Sequence, residues 1–134
     1  MNTVFADTYY FVGFTNQQDD AHPACLSFSN SFRGKLLTTE WVLVEYADAM
    51  SATRERRIVG RYVQELARHR SVEVIPFSRR LFDQGLGLYI SRPDQAWSLT
   101  DCLSFAAMRE HGLTEALTGD HHFEQAGFKA LLKP

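Results

Sequence analysis

Short apolar runs alternate along this chain with longer stretches whose apolar residues recur at helical spacing. Val4-Phe5-Ala6, Leu36-Leu37-Thr38, Val72 to Phe77, Glu115 to Thr118 and Lys129 to Leu132 are brief enough to be strands. Between them, Thr8 to Phe14 offers Tyr9, Phe11, Val12 and Phe14 to one packed face of a helix. Asp19-Asp20 followed by Pro23 marks a second helix start, with Cys25, Leu26, Phe28 and Phe32 as its stripe and Gly34 closing it. Thr38 or Thr39 caps a third helix, Glu40 to about Ser51. A fourth runs from Arg54 to His69, with Ile58, Val59, Tyr62, Val63 and Leu66 inward.

Ser78 opens a fifth helix with the stripe Leu81, Phe82, Gly85, Leu88 and Tyr89, and Ser91 to Asp94 is a loop. Gly85 and Gly87 each weaken that helix by ~1 kcal/mol, which leaves a kink, a mobile segment or neither. Ser98 caps an almost wholly apolar helix, with Asp101 in its first turn and Gly112 at its end. Gly119 makes a tight turn, and Asp120 opens a short last helix. Strands separated by crossover-length helical stretches predict an α/β fold. The expectation is a single domain spanning 1–134, with a mostly parallel central sheet of about five short strands flanked by helices.

Composition narrows the function classes. The chain has 134 residues, 45% of them hydrophobic and 22% charged, enough for one folded core. No apolar run is long enough to span a bilayer and no leader pattern opens the chain, so a cytoplasmic protein with no membrane partner is expected. Cys25 and Cys102 lie far apart without Cys/His pairing and read as reduced, buried thiols. The formal net charge is −2, yet eight of the 14 Lys and Arg residues fall between Arg54 and Arg80. Setting aside four acids discussed next, the rest of the chain carries +2, a map that suits a phosphate-bearing substrate.

Those four acids are Asp7, Glu45, Asp101 and Asp120. Asp7 and Asp120 each follow a strand, at the carboxyl edge where open parallel sheets bind ligands. Each could equally be a helix cap, and Ser98-x-x-Asp101 has capping-box spacing. Glu45 is harder to explain. It sits within Trp41-Val42-Leu43-Val44-Glu45-Tyr46-Ala47 with no Lys or Arg three or four residues away. Buried there without a partner it would cost several kcal/mol or be forced neutral. Four converging carboxylates call for a hard cation, Mg²⁺ or Mn²⁺. The five histidines share no ligand spacing, and His121-His122 reads as a solvated turn.

Phe5-Ala6-Asp7-Thr8, Glu45, Ser98-Leu99-Thr100-Asp101-Cys102, Leu117-Thr118-Gly119-Asp120-His121-His122-Phe123 and Ala126-Gly127-Phe128 together resemble the PIN-domain pattern. More narrowly, they look like the VapC-type toxin ribonucleases of toxin–antitoxin pairs. The resemblance implies an endoribonuclease dependent on Mg²⁺ or Mn²⁺ that leaves 5′-phosphate and 3′-hydroxyl ends. It implies that Asp7, Asp101 and Asp120 ligate metal, and that Glu45 ligates metal or helps deprotonate the attacking water. Thr8 and Thr118 would orient the acids, or serve as local cap hydroxyls.

It further implies an RNA substrate, a cognate antitoxin and a homodimer. Arg54, Arg57 and Arg61 are candidates to track an RNA backbone, although a solvated helix face accounts for them as well. Tyr9, Tyr10, Phe11 and Phe14 could line a groove for an antitoxin's amphipathic segment, with core packing as the alternative. Two other readings compete: a PIN-fold binding module without nuclease activity, and another Mg²⁺-dependent phosphoryl-transfer domain. The first expects a broken acid set. The second expects an Asp-x-Asp nucleophile, whereas Asp7 is followed by Thr8-Tyr9.

Overall fold

The computed structural model describes residues 2–133. Its elements in chain order are β1 (Thr3–Ala6), α1 (Thr8–Thr15), α2 (His22–Ser31), β2 (Lys35–Thr39), α3 (Glu40–Ala49), α4 (Arg56–Leu66), β3 (Val72–Ile75), α5 (Arg79–Ser91), α6 (Leu99–Glu110), β4 (Glu115–Leu117), α7 (His121–Gln125) and β5 (Lys129–Ala130). The strands form one sheet in the order β3-β2-β1-β4-β5, with every pairing parallel. β1 lies at the centre, pairing Val4 with Leu36 on one side and Ala6 with Leu117 on the other. Chain order therefore reverses at β1, between β2 and β4, which is where open α/β sheets part to form a ligand crevice.

Side chains explain why the elements stop where they do. Thr39, not Thr38, caps α3 by accepting from the Val42 amide; Thr38 instead donates to the Ala6 carbonyl at 2.8 Å, tying β2 to β1. Ser78 caps α5, and Ser98 with Asp101 forms a reciprocal capping box on α6. Along α6, Cys102, Leu103, Phe105, Ala107 and Met108 are buried against the sheet and neighbouring helices. Both cysteines are free and buried. No helix among the described residues is long and apolar enough to cross a membrane.

Several expectations require correction. α4 begins at Arg56, so Arg54 lies in the preceding turn, and β3 ends before Pro76 and Phe77. α2 ends at Ser31, leaving Phe32 and Gly34 beyond it, Ser91 completes α5, and β5 stops at Ala130. Leu26, Ile58 and Tyr89, assigned to inward stripes, are exposed. In α4 the packed row runs through Val59, Tyr62, Val63 and Leu66, and Ile58 lies before it. In α5 the seam is Leu81, Gly85 and Leu88. α5 is continuous through both of its glycines. A Cβ on Gly85 would lie 2.5 Å from Leu103 Cδ2, so glycine there allows α5 to press onto α6; Gly87 faces open space.

Candidate active site

β1 delivers Asp7 to the carboxyl edge of the sheet, and β4 delivers Thr118 beside it. The two meet directly: Thr118 Oγ1 donates to Asp7 Oδ2 at 2.8 Å. Asp7 occupies the residue before α1 but makes no capping bond to it. Its carboxylate is buried for another reason. Desolvation pushes its pKa up to about 7, with the charges of Asp101 and Glu45 adding to the rise and the Thr118 hydroxyl opposing it.

α6 supplies Asp101, which is also buried. Its Oδ2 accepts from the Ser98 amide at 3.1 Å and lies 2.9 Å from His122 Nδ1. Burial raises this carboxyl above the usual range and Asp120 adds to the rise, while the Ser98 amide and His122 oppose it. Asp120 caps α7 by accepting from the His122 amide at 2.9 Å, and its own amide donates to Thr118 Oγ1 at 3.0 Å. Thr118 thus fixes two acids through one hydroxyl. The capping expectation for Asp120 holds, and its carboxylate still faces the cleft.

Glu45 departs from the burial expected of it. It is only partly buried, because Val44, Ala47 and Asp48 face solvent and the helix is wrapped on one side alone. It also has a partner, since Thr8 Oγ1 donates a short hydrogen bond to Glu45 Oε1. That partner is 37 residues away in sequence, far beyond the helical turn on either side of Glu45.

Asp7, Thr8, Tyr9, Glu45, Ala96, Ser98, Asp101, Asp120 and His122 together line an open cleft of about 520 Å³. All four predicted acids and Thr8 reach it, and Thr118 braces it from behind. Gly119 shapes the rim, since a Cβ there would lie 2.5 Å from the Tyr9 ring. Arg54, Arg57 and Arg61 do not line it; all three are exposed and form no ion pair among the described residues. Of the four aromatic residues expected in an apolar groove, Tyr9 belongs to the acid cleft and Phe11 to the core. Tyr10 and Phe14 do line a separate groove of about 390 Å³, with Phe28, Phe32, Tyr62 and Leu66.

His122, expected from the sequence in a solvated turn, instead lines the cleft. Its side chain is only 20% exposed, it contacts Asp101, and its Nδ1 lies 3.5 Å from Asp120 Oδ1. The available signal was its position two residues after a capping Asp, in the first turn of α7. Asp120, His121 and His122 offer possible ligand atoms all within 4.8 Å of one another, with His121 exposed.

Carboxylate oxygens dominate this cleft, and no Lys or Arg is among the described residues that line it. Such a donor set fits a hard divalent cation, which would offset both the mutual repulsion and the cost of burying Asp7 and Asp101.

The PIN-domain family model matches residues 4–129. No curated protein matches the chain in sequence. Among solved structures, it is similar to the sarcin–ricin-loop-cleaving toxin VapC20 of Mycobacterium tuberculosis, at 23% identity and a TM-score of 0.86 over 93% of this chain and 95% of that one. It is also similar to VapBC2 of Rickettsia felis bound to a promoter DNA fragment, at 13% identity and a TM-score of 0.66, over 96% and 97% of the two chains. At these identities the likeness is one of fold.

Proposed function

Because the chain belongs to the PIN-domain family, we propose that it is a divalent-metal-dependent endoribonuclease, the toxin of a toxin–antitoxin pair. The observation that carries this reading is the convergence of Asp7, Glu45, Asp101 and Asp120 on one cleft without a basic side chain beyond His122. The likeness to a toxin described as cleaving the sarcin–ricin loop supports RNA as the substrate.

Asp7, Asp101 and Asp120 would hold Mg²⁺ or Mn²⁺, with Glu45 as a further ligand or as the base. A cation bound there would lower the pKa of a water molecule and offset charge on a phosphodiester. The protein's own contribution is rigidity. Thr118 fixes Asp7 and the Asp120 backbone, the Ser98 amide and His122 fix Asp101, and Thr8 fixes Glu45 through Oε1. Glu45 Oε2 has no hydrogen bond among the described residues and is free to accept the proton of the attacking water. Water oxygen adds to phosphorus and the P–O3′ bond breaks, giving a 5′-phosphate and a 3′-hydroxyl that takes its proton from solvent.

Arg54, Arg57 and Arg61, exposed and without an ion pair among the described residues, would hold the RNA backbone beyond the cleft. The groove lined by Tyr10, Phe14, Phe28, Phe32, Tyr62 and Leu66 has the apolar character to take a segment of a cognate antitoxin. The likeness to a VapBC2 complex supports such a partner. A homodimer, a single nuclease domain over 1–134 and a cytoplasmic location belong to the same proposal.

The test is cleavage of a structured-RNA pool with Mn²⁺, with EDTA, and with Asp7→Ala. Products that vanish with chelator and with the variant support the reading; cleavage that persists in Asp7→Ala places the activity elsewhere.

A further inference from the structure

A second surface on the same edge of the sheet is built from aromatic residues. Trp41, in the first turn of α3, meets Phe77 edge to face, with ring centroids 5.3 Å apart and planes at 81°. Phe77 follows the end of β3 and is 54% exposed, an unusual setting for a large aromatic. It is held there. The Phe77 amide donates to Glu40 Oε1 at 2.7 Å, which pins the β3–α5 connection onto the start of α3. Phe82, Ser78 and Arg79 complete a shallow recess of about 340 Å³. The Arg79 guanidinium lies 5.3 Å from the Phe82 ring centroid, with a side chain 79% exposed. Its ion pair with Asp83, at 3.6 Å, is itself solvent-exposed and constrains it weakly.

Position links this shelf to the acid cleft. Trp41 and Glu45 are four residues apart on α3, hence on neighbouring turns of one face and about 6 Å apart along the axis. Phe77 leaves the sheet at the carboxyl end of β3, the edge at which β1 presents Asp7.

We propose that the shelf formed by Trp41 and Phe77 stacks an unpaired nucleobase next to the scissile phosphate, with Arg79 on the adjoining backbone. This deepens the nuclease reading and rests on it. Accessible aromatic rings beside an exposed cation are the elements of single-stranded nucleic-acid recognition, because every base has a face to stack and every link carries a negative charge. The shelf would thus select for splayed, single-stranded RNA and leave the acids to cut it.

The chain's two tryptophans make the test direct, since Trp97 is buried and Trp41 is not. Oligoadenylate is titrated in EDTA, following tryptophan emission and the anisotropy of a labelled strand, for wild type, Trp41→Leu and Phe77→Leu. Saturable quenching is expected in wild type and Phe77→Leu and is lost in Trp41→Leu. Both variants should bind about tenfold more weakly. With Mn²⁺ they should raise KM for RNA cleavage while leaving kcat near wild type. Ile58→Ser, on an exposed position of α4, should change none of these.

Variants that bind and cleave like an active wild type overturn the shelf and leave the nuclease reading standing. A wild type that neither binds nor cleaves RNA overturns both. Loss of an oligomer by sedimentation in Trp41→Leu and Phe77→Leu shows the face to be a contact between copies of the chain, which also overturns the proposal.

Discussion

Replacing Asp7 with Asn should stabilise the metal-free protein at neutral and alkaline pH. Asp7 is 6% exposed, and burial moves its pKa from 3.8 to about 7. A shift of about three units corresponds to about 4 kcal/mol of preference for the neutral form in the folded state. The sign follows from that direction. Above pH 7 the carboxylate is charged in both states and the folded state bears the whole cost. Between pH 7 and pH 4 the folded state takes up its proton first and the cost fades, and below the unfolded pKa none remains. The amide of Asn keeps the shape and an oxygen to accept from Thr118, but cannot ionise. Urea unfolding in EDTA at pH 8 should therefore favour Asp7→Asn by a few kcal/mol, a midpoint shift of about 1 M or more for a chain this size. The advantage should shrink as pH falls through 7 and vanish near pH 4. Mn²⁺ should reverse the order, because a cation that binds only the folded wild type stabilises that protein alone. A variant less stable than wild type at pH 8 in EDTA, or an advantage independent of pH, would show that burying the charged Asp7 carboxylate carries no such cost.

Thr118→Val should cost about 1–2 kcal/mol, since it strips the Asp7 carboxylate and the Asp120 amide of one shared partner, and should slow RNA cleavage by more than its effect on folding explains; urea midpoints and single-turnover rates read the two effects. Gly85→Ala should destabilise by about 1–3 kcal/mol, because its Cβ would press on Leu103, whereas Gly87→Ala should stabilise by up to ~1 kcal/mol in the same unfolding assay. Arg57→Gln with Arg61→Gln should weaken RNA binding and lower its salt dependence, read as the slope of log Kd against log salt, without changing the unfolding midpoint.

Much of the site was legible in the chain because strand ends are marked locally. A short apolar run followed by an acid placed Asp7 and Asp120 at one edge of a parallel sheet, and Ser98-x-x-Asp101 announced its own capping box. What escaped depended on contacts between distant segments. Glu45 looked stranded because its partner, Thr8, lies on a different helix, and its exposure depends on which side of α3 the fold leaves open. His122 looked like a turn residue because its contact with Asp101 exists only once α7 is seated against α6. Ile58 and Tyr89 matched helical stripes by spacing, but periodicity gives a face and not its width. Whether Gly85 was a kink or a seam required the position of Leu103.

Whether four carboxylates form one cation centre is decided by calorimetric titration of Mn²⁺ into wild type and Asp101→Asn at pH 6.5, in two buffers of different ionisation enthalpy. Wild type should bind Mn²⁺ and release protons, because burial pushes the Asp7 pKa up to about 7 and a cation must displace the proton that the carboxyl holds. Asp101→Asn should bind at least tenfold more weakly. Equal affinity in the two proteins, or no binding to the wild type at millimolar Mn²⁺, would mean that these carboxylates do not hold a cation.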